Sequence, residues 1–276
     1  MNRIDARFAA LAETGDTAFI PYITAGDPTL AMTAKIVFEL DRAGCDIVEL
    51  GVPFSDPIAD GVVNQEAAQR ALKHHVTLHD VVHDVVNLVR DIRKQTEVPI
   101  VLFTYYNPVL AYGIESFARD CANAGVDGVL CVDLPPDEDD DYKTTLDRHG
   151  VATIFLAAPT STPERIALIA RHSTGFVYYV SRTGVTGERA DIASTVQGMV
   201  ASIKQHTATP VAVGFGISSP AQAAEVAGYA DGVIVGSAIV RLIGKSGDSP
   251  DTPKNVYTFV KPLVDAAKSG AAASRA

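Results

Sequence analysis

The apolar residues of this chain gather into short runs that are hydrophobic on both faces, separated by segments with helical periodicity. Eight such runs fall at 19–23, 47–50, 100–103, 128–131, 153–156, 176–180, 211–213 and 232–235. Strands that alternate apolar and polar positions cover one face of a core; strands apolar throughout are those of a parallel sheet covered by helices. The intervening segments 30–42, 114–123, 163–171 and 190–205 read as helices, and Thr162-Pro163-Glu164 has the chemistry of a helix start. One phrase recurs before three of the runs: Ala43-Gly44-Cys45-Asp46, Ala124-Gly125-Val126-Asp127 and Ala227-Gly228-Tyr229-Ala230-Asp231. Each reads as a helix closed by glycine, a short polar turn and an apolar strand. The interval from Glu49 to Ile100 is about twice the usual one, yet it holds only a loop and helical material from Val63 to Gln95.

Eight strand–helix units without a linker predict a single (β/α)8 (TIM) barrel spanning 1–268, with residues 269–276 as a disordered tail. An extra helix precedes the first strand, with Ile4, Phe8 and Leu11 on one face, and a short helix follows the eighth. The rival, an open doubly wound sheet, calls for a glycine-rich turn after its first strand and an acid about 20 residues on. Thr24-Ala25-Gly26-Asp27-Pro28 does not fit that pattern.

Composition narrows the class. A net charge of −10 with no basic stripe argues against a nucleic-acid partner. Three cysteines, Cys45, Cys121 and Cys131, lie in or beside apolar segments, as buried thiols of a reducing cytoplasm do, and show no zinc spacing. The N-terminus lacks the apolar centre of a signal peptide, and no run reaches the about 18 apolar residues of a membrane span. His75, His79 and His83 share one helical face, read as solvated rather than metal-binding.

The candidate chemistry sits at the strand ends, where barrels place their active sites. Glu49 lies within the apolar run Ile47-Val48-Glu49-Leu50, and a carboxylate there needs a partner, a raised pKa or a task. Asp60 follows on the Pro- and Gly-punctuated loop after that strand, which also carries Asp56. A buried acid beside a more polar one can combine proton donation with charge stabilisation. Two glycine turns, Gly214-Phe215-Gly216-Ile217-Ser218 and Gly236-Ser237-Ala238, follow the last two strands and suit a phosphate held by backbone amides and a hydroxyl. Neither turn contains Lys or Arg. The segment 181–189, with Gly184 and Gly187, reads as a lid. Tyr22 and Phe215 are candidates to line a pocket for a flat ring, whereas Phe103 and Phe176 read as core.

At these residues the chain resembles the alpha subunits of tryptophan synthase. The likeness runs through Pro21-Tyr22-Ile23-Thr24-Ala25-Gly26-Asp27-Pro28, the long segment from Val48 to Gly61, Tyr106-Asn107-Pro108, Gly184-Val185-Thr186-Gly187 and both glycine turns. It implies a lyase that splits indole-3-glycerol phosphate into indole and glyceraldehyde 3-phosphate by a retro-aldol step. Glu49 would be the general acid–base and Asp60 would stabilise the indole N–H. Phosphate would rest on Gly187, Phe215, Gly216, Gly236 and Ser237, with Thr186 tying the lid to Asp60. Tyr22, Leu102, Leu130, Tyr178 and Phe215 would wall the indole pocket. The resemblance also implies no cofactor in this chain, a pyridoxal-phosphate beta subunit as partner in an alpha2beta2 assembly, and a contact surface that includes Asp56, Pro57, Asn107 and Pro108. Two departures stand out: Tyr22 where Phe is more usual, and Val62-Val63-Asn64 where a Pro and an Ile are more usual. A stand-alone lyase of the same chemistry and a catalytically silent partner-activating barrel are the alternatives.

Overall fold

In the computed structural model, which describes residues 2–74, 78–138, 140–181, 189–214 and 216–273, the recurring aspartates explain how the frame is tied. Asp46, Asp127 and Asp231 each accept, through Oδ2, a backbone N–H at the start of a neighbouring strand, from Phe19, Ile100 and Val211, at 2.8–2.9 Å. Each also donates its own N–H to the carbonyl of that same residue. The repeated Asp is therefore a clip between adjacent strands at the N-terminal end of the sheet. Asp46 and Asp127 are buried, and cations stand beside them: Arg7 and Lys268 at Asp46, Arg3 and Arg93 at Asp127.

The strands so joined are β1 (Ala18–Thr24), β2 (Val48–Gly51), β3 (Ile100–Thr104), β4 (Gly128–Cys131), β5 (Ala152–Ile154), β6 (Leu156–Ala157), β7 (Val177–Val180), β8 (Val211–Gly214) and β9 (Gly232–Val235). All pair in parallel, in the order β5-β4-β3-β2-β1-β9-β8-β7-β6. Eight barrel positions carry nine strands because the fifth is broken at Phe155: β5 pairs with β4 and β6 with β7. Side chains fill the gap, Thr174 Oγ1 accepting from Thr153 N and Ser173 Oγ from Phe155 N.

Helices α1 (Arg3–Thr14), α2 (Leu30–Ala43), α3 (Val62–Ala71), α4 (Leu78–Ile92), α5 (Tyr106–Tyr112) and α6 (Ile114–Ala124) accompany the first half. Helices α7 (Asp140–Arg148), α8 (Pro163–His172), α9 (Arg189–Lys204), α10 (Pro220–Ala227), α11 (Ser237–Ser246) and α12 (Thr252–Ala273) accompany the second. The doubled interval after Glu49 is α3, a 3-10 turn and α4, with no strand among its described residues. Helix α12 continues to Ala273, across the start of the stretch expected to be disordered. Gly270 allows this, because a Cβ there would collide with the Ala224 backbone of α10. Helix α1 closes the barrel floor: Ile4, Phe8 and Leu11 join the interior cluster, with the Phe8 and Phe176 rings 6.1 Å apart.

The strands feed two cores. Val48, Leu50, Ile100, Leu102 and Val129 face the helix ring, while Ile20, Ile47, Val101, Leu130, Ile154 and Ala212 fill the barrel. Among the described residues no helix is long and apolar enough to cross a membrane.

Candidate active site

Strand alternation puts Glu49 on the inward side, between the outward Val48 and Leu50, in register with Tyr22 of β1 and Val101 of β3. It is fully buried, and among the described residues neither carboxyl oxygen has a hydrogen-bond partner. Burial alone pushes its pKa up to about 8. A carboxyl in that position holds its proton at neutral pH and gives it up readily above it, which suits a general acid–base.

Asp60 stands on the loop that leaves β2, one residue before the Gly61 cap of α3. That loop is folded on itself: Asp60 N–H donates to the Pro57 carbonyl, and the Gln65 side chain donates to the Asp60 carbonyl at 2.9 Å. The carboxylate accepts from Tyr105 Oη at 2.9 Å and from Asn64 Nδ2 at 3.4 Å. Half-burial raises its pKa, and these two bonds pull it back. The two acids bear on the same phenols. Burial raises Tyr22 first, then Asp60 and Glu49; for Tyr178 burial is followed by Glu49, Tyr22 and Asp60.

A cavity of about 1010 Å³ opens at the C-terminal ends of the strands, lined by Asp60, Tyr22, Tyr178, Phe103, Val132 and Leu156 among others. Gly214, Gly216, Gly236 and Ser237 form a second part of its lining, so residues of the two glycine turns meet at one cavity. Their glycines have a further role. A Cβ on Gly214 would lie 2.9 Å from the Tyr178 hydroxyl, and one on Gly51 would collide with the Tyr22 hydroxyl. The missing side chains make room for the cavity's two tyrosines. Arg241, one turn into α11 from Ser237, also lines the cavity; the turns alone hid it, because the cation arrives four residues later.

Several expected site residues lie elsewhere. Leu102 points away from the pocket into the core between sheet and helices, and the residue on the cavity wall is Phe103, which had read as core. On a strand buried on both faces, apolarity does not reveal which face is inward, and the expectation was out by one residue. Tyr22 and Phe103 meet edge to face at 5.2 Å. Leu130 is on the inward face, in the barrel interior, while Val132 of the same segment reaches the cavity. Asp56 and Asn107 are exposed and Pro57 half-exposed, but Pro108 is on the buried face of α5; Leu110, 48% exposed, takes the outward place on that helix, and Ile58 and Val62 are also exposed. Thr186, Gly187 and Phe215 lie outside the described residues, as does the lid from 182 to 188; Ser181 at its base is buried and donates its N–H to the Gly214 carbonyl. His79 and His83 are exposed on α4. Among the described residues no cluster of His, Cys, Asp or Glu could hold a metal ion.

A protonated acid beneath a barrel mouth and a second carboxylate on its rim mark a (β/α)8-barrel enzyme of the acid–base kind. The family model for the tryptophan synthase alpha chain matches residues 8–268, and the chain belongs to that family. The tryptophan synthase alpha chain of Geotalea uraniireducens (strain Rf4) is 51% identical over 242 residues, 88% of this chain and 89% of that one. That of Geotalea daltonii is 47% identical over 273 residues, 99% of this chain and 100% of that one. The crystal structure of tryptophan synthase subunit alpha from Legionella pneumophila (strain Paris) matches with a TM-score of 0.88 at 37% identity, covering 98% of this chain and 99% of the other. A structure of tryptophan synthase from M. tuberculosis in an open form matches at 0.84 and 35% identity, covering 97% and 99%.

Proposed function

We propose that this chain cleaves indole-3-glycerol phosphate to indole and glyceraldehyde 3-phosphate, with Glu49 as acid–base and Asp60 as the charge-stabilising group. The observation that carries this reading is the fully buried Glu49 carboxyl, without a partner among the described residues, beneath a cavity rimmed by Asp60. Protonated Glu49 delivers its proton to indole C3, and positive charge develops at the indole N–H, where Asp60 lies opposite. The attraction between Asp60 and that cation grows towards the transition state, so it lowers the barrier rather than merely binding substrate. The Glu49 carboxylate then takes the proton of the glycerol hydroxyl next to the ring. The C–O bond becomes the aldehyde carbonyl, the carbon–carbon bond breaks, and its electrons restore the aromatic indole. Glu49 ends as it began, protonated.

Tyr22, Phe103, Val132 and Tyr178 wall the ring, and Gly216, Gly236 and Ser237 take the phosphate, together with Gly187 and Phe215. The indole passes to a beta subunit carrying pyridoxal phosphate, in an alpha2beta2 assembly. Asp56, Pro57 and Asn107, with the neighbouring exposed Ile58 and Leu110, supply the contact surface. A cytoplasmic setting fits the three buried free thiols. The two carboxylates at one mouth disfavour a catalytically silent barrel.

The test is turnover of indole-3-glycerol phosphate with and without a beta subunit. Glu49→Gln should abolish cleavage and keep the affinity for a glycerol phosphate analogue within a few-fold; substantial residual activity refutes the assignment. Asp60→Asn should fold and lose roughly 10²-fold or more in kcat; wild-type rates remove Asp60 from the chemistry.

A further inference from the structure

We propose that Tyr105 is the positioning residue for Asp60: its phenol clamps residues 59 and 60 so that the rim carboxylate points at one place. This rests on the reading of Asp60 as the charge-stabilising group. The loop from Val52 to Gly61 is largely exposed over 55–60 and has no strand to hold it. Among the described residues no salt bridge reaches Asp60, and its other side-chain bond, from Asn64, is long and comes from the start of the helix that the loop itself leads into. Tyr105 is different in kind. It is 3% exposed and sits between the end of β3 and the first residue of α5, 45 residues away in sequence. Its ring packs on Phe54 at 5.2 Å. Its oxygen donates to Asp60 Oδ2 at 2.9 Å and accepts from Ala59 N at 3.0 Å. One oxygen thus fixes both the backbone before Asp60 and the carboxylate itself, and it does so from the rigid barrel wall.

The direction of the bonds also matters. Burial and the neighbouring Asp60 push the Tyr105 hydroxyl above its ordinary range, so it stays a donor wherever the carboxylate is charged. Among the described residues the other titratable or charged groups that bear on this mouth are Tyr22 and Tyr178, both pushed up by burial, Glu49, Asp133, whose charge also raises the Tyr105 hydroxyl, and Arg241 on the cavity lining. A carboxylate held ionised and aimed is what stabilising a cation in the transition state needs, and misplacement by an ångström is costly.

Tyr105→Phe keeps the ring and its packing and removes only the hydroxyl. Assayed with a tryptophan synthase beta subunit, it should lower kcat roughly 10–100-fold, the usual size for a hydrogen bond to a charged group, with KM within about threefold. The acid limb of the pH–rate profile should move to higher pH, because the bond that favours ionised Asp60 is gone. A purely structural role would not move that limb. Asp60→Asn/Tyr105→Phe should be no slower than Asp60→Asn alone. If Asp60→Asn is inactive while Tyr105→Phe matches wild type in kcat and pH profile, this proposal fails and the reading of Asp60 stands. Wild-type rates in Asp60→Asn overturn both. Should Tyr105→Phe not fold, 3-fluorotyrosine at position 105 keeps the hydroxyl and strengthens its donation; the acid limb should then move to lower pH, and an unmoved limb refutes the clamp.

Discussion

Replacing Glu49 by Gln should make the protein more stable as well as inactive, and the gain should depend on pH in a way that isolates this one proton. The folded carboxyl has a pKa of about 8 against an ordinary 4.5. Between those values the unfolded chain has released the proton and the folded chain still holds it, so stability falls as pH rises. The contribution is fully present below about 4.5 and fully lost above about 8. At about 1.36 kcal/mol per pH unit the whole gap amounts to roughly 5 kcal/mol, and roughly 3 of these are already lost at pH 7. Glu49 is 0% exposed, so solvent screening takes little from this figure. Glutamine keeps the shape without the proton equilibrium. Its own unpaired buried amide costs something, but that cost is the same at every pH. The assay is urea unfolding of both proteins at pH 5, 7 and 8.5, comparing midpoints at matched slopes. The advantage of Glu49→Gln over wild type should grow by roughly 4 kcal/mol across that range. A difference that stays constant from pH 5 to 8.5 would show that the folded carboxyl is already charged, and the acid role would fall with it.

Four further substitutions test the geometry of the pocket. Leu102→Ala should destabilise by about 2–5 kcal/mol, as core truncations do, and leave KM for substrate unchanged, whereas Phe103→Ala should raise KM at least tenfold; thermal melts and steady-state kinetics on the pair check the corrected wall. Gly214→Ala places a methyl 2.9 Å from the Tyr178 hydroxyl, so the ring must move into the cavity and KM should rise with little change in fold, measured by kinetics beside circular dichroism. Gly236→Asp puts a negative charge at the expected phosphate seat and should raise KM sharply, more at low salt than at high; an unchanged KM places the phosphate elsewhere.

What could be read from the residues follows from where burial leaves a trace in composition. Strands apolar on both faces announced a parallel sheet under helices, and a carboxylate inside such a run announced Glu49, because nothing apolar explains it. The same double burial hid the phase of each strand: Leu102 and Phe103 are both hydrophobic neighbours, and only the fold assigns one to the helix ring and the other to the cavity. The break at Phe155 was hidden for a related reason. An interrupted strand keeps its apolar side chains, and the hydrogen bonds that replace the ladder come from Ser173 and Thr174, distant in sequence from the gap. The recurring Asp46, Asp127 and Asp231 carried a visible signal, an acid at one fixed place before three strands, whose meaning is the clip between neighbouring strands.

The glycines of the mouth have a structural role beside the one expected of them. Gly214 and Gly236 were singled out because small residues let amides converge on an anion, and both do line the cavity. Yet the space over Gly214 belongs to the Tyr178 hydroxyl and that over Gly51 to the Tyr22 hydroxyl, while a Cβ on Gly236 would sit 3.4 Å from Tyr22 Cβ. A barrel of this size has room at its mouth for two large rings only where neighbouring strands give up their side chains. Tyr22 stands in register with Glu49, both phenols lie within electrostatic reach of it, and burial is what lifts its pKa. Substitution of a mouth glycine should therefore act twice, on the proposed phosphate seat directly and on the acid through the tyrosine it displaces. Gly214→Ala should lower the apparent pKa of the Glu49 limb as well as raise KM, and a KM effect with an unmoved limb would separate the two roles.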